Sequence, residues 1–281
     1  MMETPANPTA RAATVSVGPL WLGASVLVSV LVTITSLCGI LLPQTYARET
    51  AAWAVQAVGQ DNANLVVVAI LLVTTYFVWN HSLRGYLVWL GAHLYLVYAF
   101  AIYAFAVHFQ FLFLAYVAVL GLSVYTFFGG LMAARPDTLA PALAGNPRAR
   151  MASALLFVIG VLFAALWLSE IVPNLVAGTI PPSLAETALP TNPVYVLDLA
   201  LLLPGMIVTA VLLWRQRFTG YLMAVPLLIF AITMGLGILA TFAVSALRGL
   251  PYSMPAGAII GIIVVLGILF SWLFLRDVNR M

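Results

Sequence analysis

Apolar stretches of about twenty residues, the length an α-helix needs to cross a hydrocarbon core of ~30 Å, recur along this chain and limit what it can fold into more than any other feature. They fall at 19–42, 62–80, 86–107, 111–134, 151–172, 193–214, 219–246 and 255–275, separated by polar, proline or glycine punctuation. A continuously apolar helix of that length hides its backbone polar groups from lipid by bonding them internally. The pattern therefore predicts an all-α polytopic membrane bundle of about eight transmembrane helices. Composition agrees: 64% of the residues are apolar and 7% are charged, against ~25% charged in soluble domains. The first stretch is too long for a signal-peptide core and is expected to stay as an anchor.

Every basic residue other than histidine is arginine. Without lysine there is no Schiff base to retinal or pyridoxal phosphate and no phosphate-loop lysine. The lone Cys38 permits neither an intrachain disulfide nor a cysteine metal cluster and is expected to be a buried, inert thiol. The net charge of +3 is a topology signal rather than evidence for a nucleic-acid partner. With eight alternating helices and a cytoplasmic N-terminus, Arg11, Arg84, Arg135, Arg148, Arg150, Arg215, Arg217, Arg276 and Arg280 face inward, and only Arg48 and Arg248 face outward. This predicts a bacterial inner (plasma) membrane protein with both termini in the cytoplasm. The acids differ: Glu49, Asp61, Glu170, Glu186 and Asp198 lie toward the outer side, and Glu3, Asp137 and Asp277 inside.

The segments Trp79-Asn80-His81-Ser82-Leu83-Arg84-Gly85-Tyr86-Leu87 and Trp214-Arg215-Gln216-Arg217-Phe218-Thr219-Gly220-Tyr221-Leu222 both read Trp, five residues, Gly-Tyr-Leu, at a separation of 135 residues. Pro43 and Pro173 are expected to end the first and fifth helices. These correspondences predict two parallel four-helix halves, 19–134 and 151–275, joined by a cytoplasmic linker 135–150 and flanked by cytoplasmic tails 1–18 and 276–281. Parallel repeats of this kind place a site between the halves. Two long outer loops are expected to cover it, one with a short interfacial helix at 48–55 carrying Trp53 at headgroup depth, the other with a short helix opened by a Ser183-to-Glu186 capping box.

Five residues are candidates for binding a solute or ion. Asn192 and Pro193 make an N-cap and first helical position, which puts Asp198 about 8 Å into the sixth span, where a carboxylate needs a partner, water or a proton. Glu170, expected in the last turn of its helix among unpaired carbonyls, needs a compensating partner such as Arg248. Asp61 is expected to N-cap the second helix, opening it opposite Asp198. His108 is placed to join Glu170 and Asp198 in an outward metal or proton site, although no resident metal is expected. Pro204, with Gly205, is expected to break the sixth helix near midmembrane. His81, His93 and His108 lie at different depths, which disfavours haem, and no cofactor is expected; His93 shares a face with Tyr86 and Phe100, a packing position. Tyr95, Tyr98, Tyr103, Tyr116 and Tyr125 are read as core, and Gly257 with Gly261 as a close-packing face that allows a homo-oligomer.

The run Trp167-Leu168-Ser169-Glu170-Ile171-Val172-Pro173 and the run Asn192-Pro193-Val194-Tyr195-Val196-Leu197-Asp198-Leu199 resemble uncharacterised multi-pass membrane proteins of GC-rich bacteria. The resemblance implies a membrane bundle and no particular activity. Three functional classes follow from the residues: a small-solute or ion transporter, proton-coupled through Asp198; a membrane-embedded enzyme using Glu170, Asp198 and His108 on a lipidic or extracytoplasmic substrate; and a non-catalytic membrane subunit. The partners expected are the lipid bilayer and a small solute or cation.

Overall fold

The computed structural model describes residues 15–278; Glu3, Arg11 and Arg280 lie outside them. Among the described residues, eight helices are long and apolar enough to cross a membrane, and there is no strand. The chain is a multi-pass integral membrane protein with an all-α fold. The elements are α1 (Pro19–Leu41), a 3₁₀ turn (Pro43–Tyr46), α2 (Ala51–Trp79), α3 (Leu83–Ala106), α4 (Phe113–Met132), α5 (Pro136–Leu143), α6 (Ala149–Ala177), α7 (Pro182–Thr187), α8 (Pro193–Leu197), a π-helical turn (Asp198–Leu202), α9 (Leu203–Trp214), α10 (Phe218–Leu247) and α11 (Met254–Asp277). The sixth span is α8, the π turn and α9 in one piece.

Three helix boundaries differ from expectation. The polar run Gln56, Gln60, Asp61, Asn62 and Asn64 lies within α2, which starts at Ala51 with Thr50 as its cap. The short helix expected at 48–55 is thus the first turn of a span, Trp53 is buried, and its indole donates to the Ala106 carbonyl at 2.9 Å. Pro173 does not end its helix: α6 runs on to Ala177 and stops at Gly178, whose φ of 67° is left-handed. A proline costs a membrane helix one backbone bond, which neighbouring groups can absorb. Pro204 does not break the sixth span either. The turn ahead of it widens so that the Leu203 N–H reaches the Asp198 carbonyl, and α9 proceeds from there.

Helices α1, α2, α3 and α4 form a closed ring, each touching its chain neighbours and α1 touching α4. Helices α6, α9, α10 and α11 form a second ring with the same order of contacts. The rings join where α10 packs along α2 and α3, and α8 meets α3. Lipid offers helices no hydrophobic gain from association, so close approach of small residues carries such seams. A side chain at Gly59 would run into the Thr241 backbone, and one at Gly237 into Gln60. The central helices are α3 and α10, with 72% and 67% of their apolar windows buried, compared with 28% for α11.

The turns between α2 and α3 and between α9 and α10 match bond for bond. Asn80, His81 and Ser82 donate their N–H groups to Tyr76, Val78 and Phe77; Arg215, Gln216 and Arg217 donate theirs to Val211, Leu213 and Leu212. His81 and Gln216 both take positive φ, 60° and 55°. With Arg11 and Arg280 set aside, seven of the inward-assigned arginines lie at the end of the bundle that holds these turns, and Arg48 and Arg248 at the end that holds the long loops. We call these the arginine end and the loop end. The expected GxxxG face is divided: a side chain on Gly257 would meet the Phe242 ring of the same chain, and Gly261 faces open space.

Candidate functional site

A cavity of about 810 Å³ lies between the rings. Its mouth at the loop end is edged by Thr50 to Trp53, by Ser183, Glu186 and Thr187 around α7, and by Leu250 and Pro251. Its walls come from α2, α3, α6, α8, α10 and α11, and it reaches Leu203 and Met206, which at ~1.5 Å per residue are some 15–20 Å along the sixth span from Pro193. Such a volume suits a drug-sized molecule.

Asp198 stands in this wall, 9% exposed. The helix that carries it is started by the Asn192 side chain, which accepts the Val194 N–H, with Pro193 in the first turn. Its Oδ1 accepts the Tyr98 hydroxyl at 2.9 Å and its Oδ2 accepts the Trp167 indole N–H at 2.8 Å. Both donors are neutral, so among the described residues the acid is hydrogen-bonded without a countercharge.

One turn nearer the mouth on both helices lies a second rung. Tyr195 donates to Glu170 Oε2 at 2.6 Å, and the Ser183 N–H donates to Oε1 at 3.1 Å. Because Tyr195 commits its proton to Glu170, the Ser183 hydroxyl, 2.8 Å from the phenol oxygen, is the donor of that pair. Glu170 thus holds the start of α7 over the cavity, and Arg248 is not its partner. The expected capping box is absent; Pro181 occupies the N-cap of α7, and Glu170, thirteen residues before Ser183, supplies the acceptor. The Trp167 and Tyr195 rings, 5.1 Å apart, join the rungs, and the two acids are offset in depth by about one turn, ~4.5–5.4 Å.

The other candidates lie elsewhere. Asp61 is 1% exposed inside the first ring, behind the cavity wall, and does not cap α2. Its Oδ2 accepts the Tyr46 hydroxyl at 2.7 Å and its Oδ1 accepts that of Tyr103 at 2.9 Å. It presses on α1 where a side chain at Gly39 would overlap its carboxylate. Burial beside this acid pushes the phenol of Tyr46, in the 3₁₀ turn, well above the usual tyrosine range. Tyr103 lines the cavity as well, so it connects Asp61 to the cavity wall. His108 does not meet Glu170 or Asp198: its Nδ1 lies 2.9 Å from Glu49 Oε2, and Glu49 Oε1 accepts its backbone N–H at 2.8 Å. This pair, with Arg48 donating to the Phe109 carbonyl at 3.1 Å, clamps two loops together. Pro204 points away from the cavity and is exposed. Among the described residues no group of three or more His, Cys, Asp or Glu side chains is placed to hold a metal.

His93 is a packing residue as expected, fully buried with its Nε2 2.9 Å from the Ser25 hydroxyl. Cys38 is half-buried with a free thiol. Of the five tyrosines read as core, Tyr95, Tyr98, Tyr103 and Tyr116 are buried and Tyr125 is 70% exposed. Sequence reasoning missed Tyr98 and Trp167 as ligands of Asp198 and Tyr195 as the ligand of Glu170. The last two carried a signal, since Trp167 with Glu170 and Tyr195 with Asp198 each recur at i, i+3 on one helix face. A comparison with known protein families, characterised proteins and solved structures finds no match to this chain.

Proposed function

We propose that this protein is a small-solute transporter of a bacterial inner membrane, its arginine end cytoplasmic, that binds its solute in the cavity between the two rings with Asp198 in the wall. One observation carries this function: a drug-sized cavity descends between two similarly connected helix rings to about the middle of the sixth span and is flanked by an intramembrane acid. Intramembrane acids usually mark a substrate or ion path. The matching turns support two parallel halves, 19–134 and 151–275, and halves of this kind rock about a shared midplane site. The GC-rich bacterial family resemblance fits a bacterial membrane and is silent on activity. A cavity that reaches Asp198 also favours transport over a non-catalytic subunit.

An enzyme is the second reading, supported by Ser183, Tyr195 and Glu170 meeting under α7 at the mouth. Here, however, the serine hydroxyl donates to a phenol, and the Glu170 carboxylate reaches it only through Tyr195, not as a base in direct contact. Cysteine accessibility separates the two. With Cys38→Ala as background, Met206→Cys at the cavity floor is labelled by a membrane-impermeant thiol reagent from both sides in a transporter. Labelling from the loop end alone, under every condition, favours the enzyme.

A further inference from the structure

Resting on the transport assignment, we infer that the solute is a lipophilic organic cation, an ammonium bearing aromatic or alkyl groups. Three acids, Asp198, Glu170 and Glu186, line the cavity, and among the described residues no arginine, lysine or histidine does. The seven arginines assigned to the arginine end and the two at the loop end all lie outside the lining, so wherever these acids are ionised nothing in the lining offsets their charge and the low-dielectric walls focus it. Anionic solutes are repelled.

The rest of the lining decides the kind of cation. Trp53, Tyr98, Trp167, Tyr195, Phe230 and Phe242 present aromatic surface to the cavity, and ring faces attract alkylated ammonium groups. A bare inorganic ion asks instead for a tight shell of oxygen ligands. Each Asp198 oxygen already accepts one hydrogen bond from a neutral donor, so about two of its roughly four lone-pair positions remain, far short of the shell a bare ion needs. The acid's attraction for the solute therefore acts mainly through space and does not require an N–H on the ligand. A volume of about 810 Å³ holds an ammonium with several substituents and far exceeds a metal ion.

The test uses the purified full chain in detergent and two probes of equal shape: benzyltriethylammonium and the neutral compound with carbon in place of its nitrogen. The inference predicts that the cation binds at least about tenfold more tightly, ~1.4 kcal/mol. Asp198→Asn removes most of that preference while leaving the neutral compound's binding unchanged. Phe230→Leu, which keeps the acid and removes a ring face, weakens the cation several-fold and guards against a misfolded Asn variant. Equal binding of the two probes means an apolar lipid pocket and overturns the inference, as does binding of neither. Because binding is read without flux, a cation preference with no transport refutes the transport assignment and leaves the ligand class standing. Transport of neutral solutes without that preference does the reverse.

Discussion

Removing the two donors that hold Asp198 tests whether the acid is built into the cavity wall as described. Trp167→Phe deletes the indole N–H, 2.8 Å from Oδ2, and Tyr98→Phe deletes the hydroxyl, 2.9 Å from Oδ1, each leaving a ring in place. Hydrogen bonds to charged groups are worth ~1.5–3 kcal/mol in soluble proteins, but interhelical bonds in lipid average ~0.6 and peak near 1.7 because the unfolded helices find other partners. Each single change should therefore cost about 1 kcal/mol. The double variant leaves a carboxylate 9% exposed without a protein donor, an orphaned group that costs more than the sum of the lost bonds. About 3 kcal/mol in total is expected. Adding Asp198→Leu removes the orphan and should restore most of the excess. Reversible unfolding of the purified chain by SDS titration, followed through tryptophan fluorescence and circular dichroism, measures the cycle. Strictly additive losses with no rescue by Asp198→Leu would refute the assignment of these two donors.

Glu170→Gln should loosen α7, because the amide cannot serve both Ser183 and Tyr195 as the carboxylate does; a cysteine at Thr241, in a Cys38→Ala chain, should then react several-fold faster with a bulky thiol reagent, and an unchanged rate refutes the latch. Gly59→Leu should abolish folded protein by driving a side chain into the Thr241 backbone, whereas Gly121→Ala, with nothing within 4 Å of the new atom, should be neutral or stabilising by up to ~1 kcal/mol; size-exclusion yield and melting report both. Gln216→Gly should stabilise the chain by about 0.5–1 kcal/mol by relieving a left-handed backbone, and a lower melting temperature would contradict that turn geometry.

The eight spans could be read from sequence because apolar length is written residue by residue and lipid demands it. The start of α2 could not, because Gln60, Asp61 and Asn64 look like loop residues until Tyr46 in the preceding turn and Tyr95 and Tyr103 on α3 supply their partners. Pro173 misled for a related reason: proline ends helices in water, but a helix in lipid tolerates the one lost backbone bond, and α6 continues past it to Ala177. The depth of Asp198 followed from a local signal, the Asn192–Pro193 start. Its ligands, 31 and 100 residues away, are set by packing that no local pattern encodes. His108 was misassigned because sharing an end of the bundle is not sharing a site. It lies across the loop from Glu49, while Glu170 turns inward to α7.

Flux tests the central claim most directly. Purified protein reconstituted into liposomes should give saturable uptake of benzyltriethylammonium above that of protein-free vesicles, and Asp198→Asn should reduce it by an order of magnitude or more, the size of its expected effect on affinity. Uptake equal to that of empty vesicles, under imposed membrane potentials and pH gradients of either sign and with binding to the same preparation intact, would contradict the account.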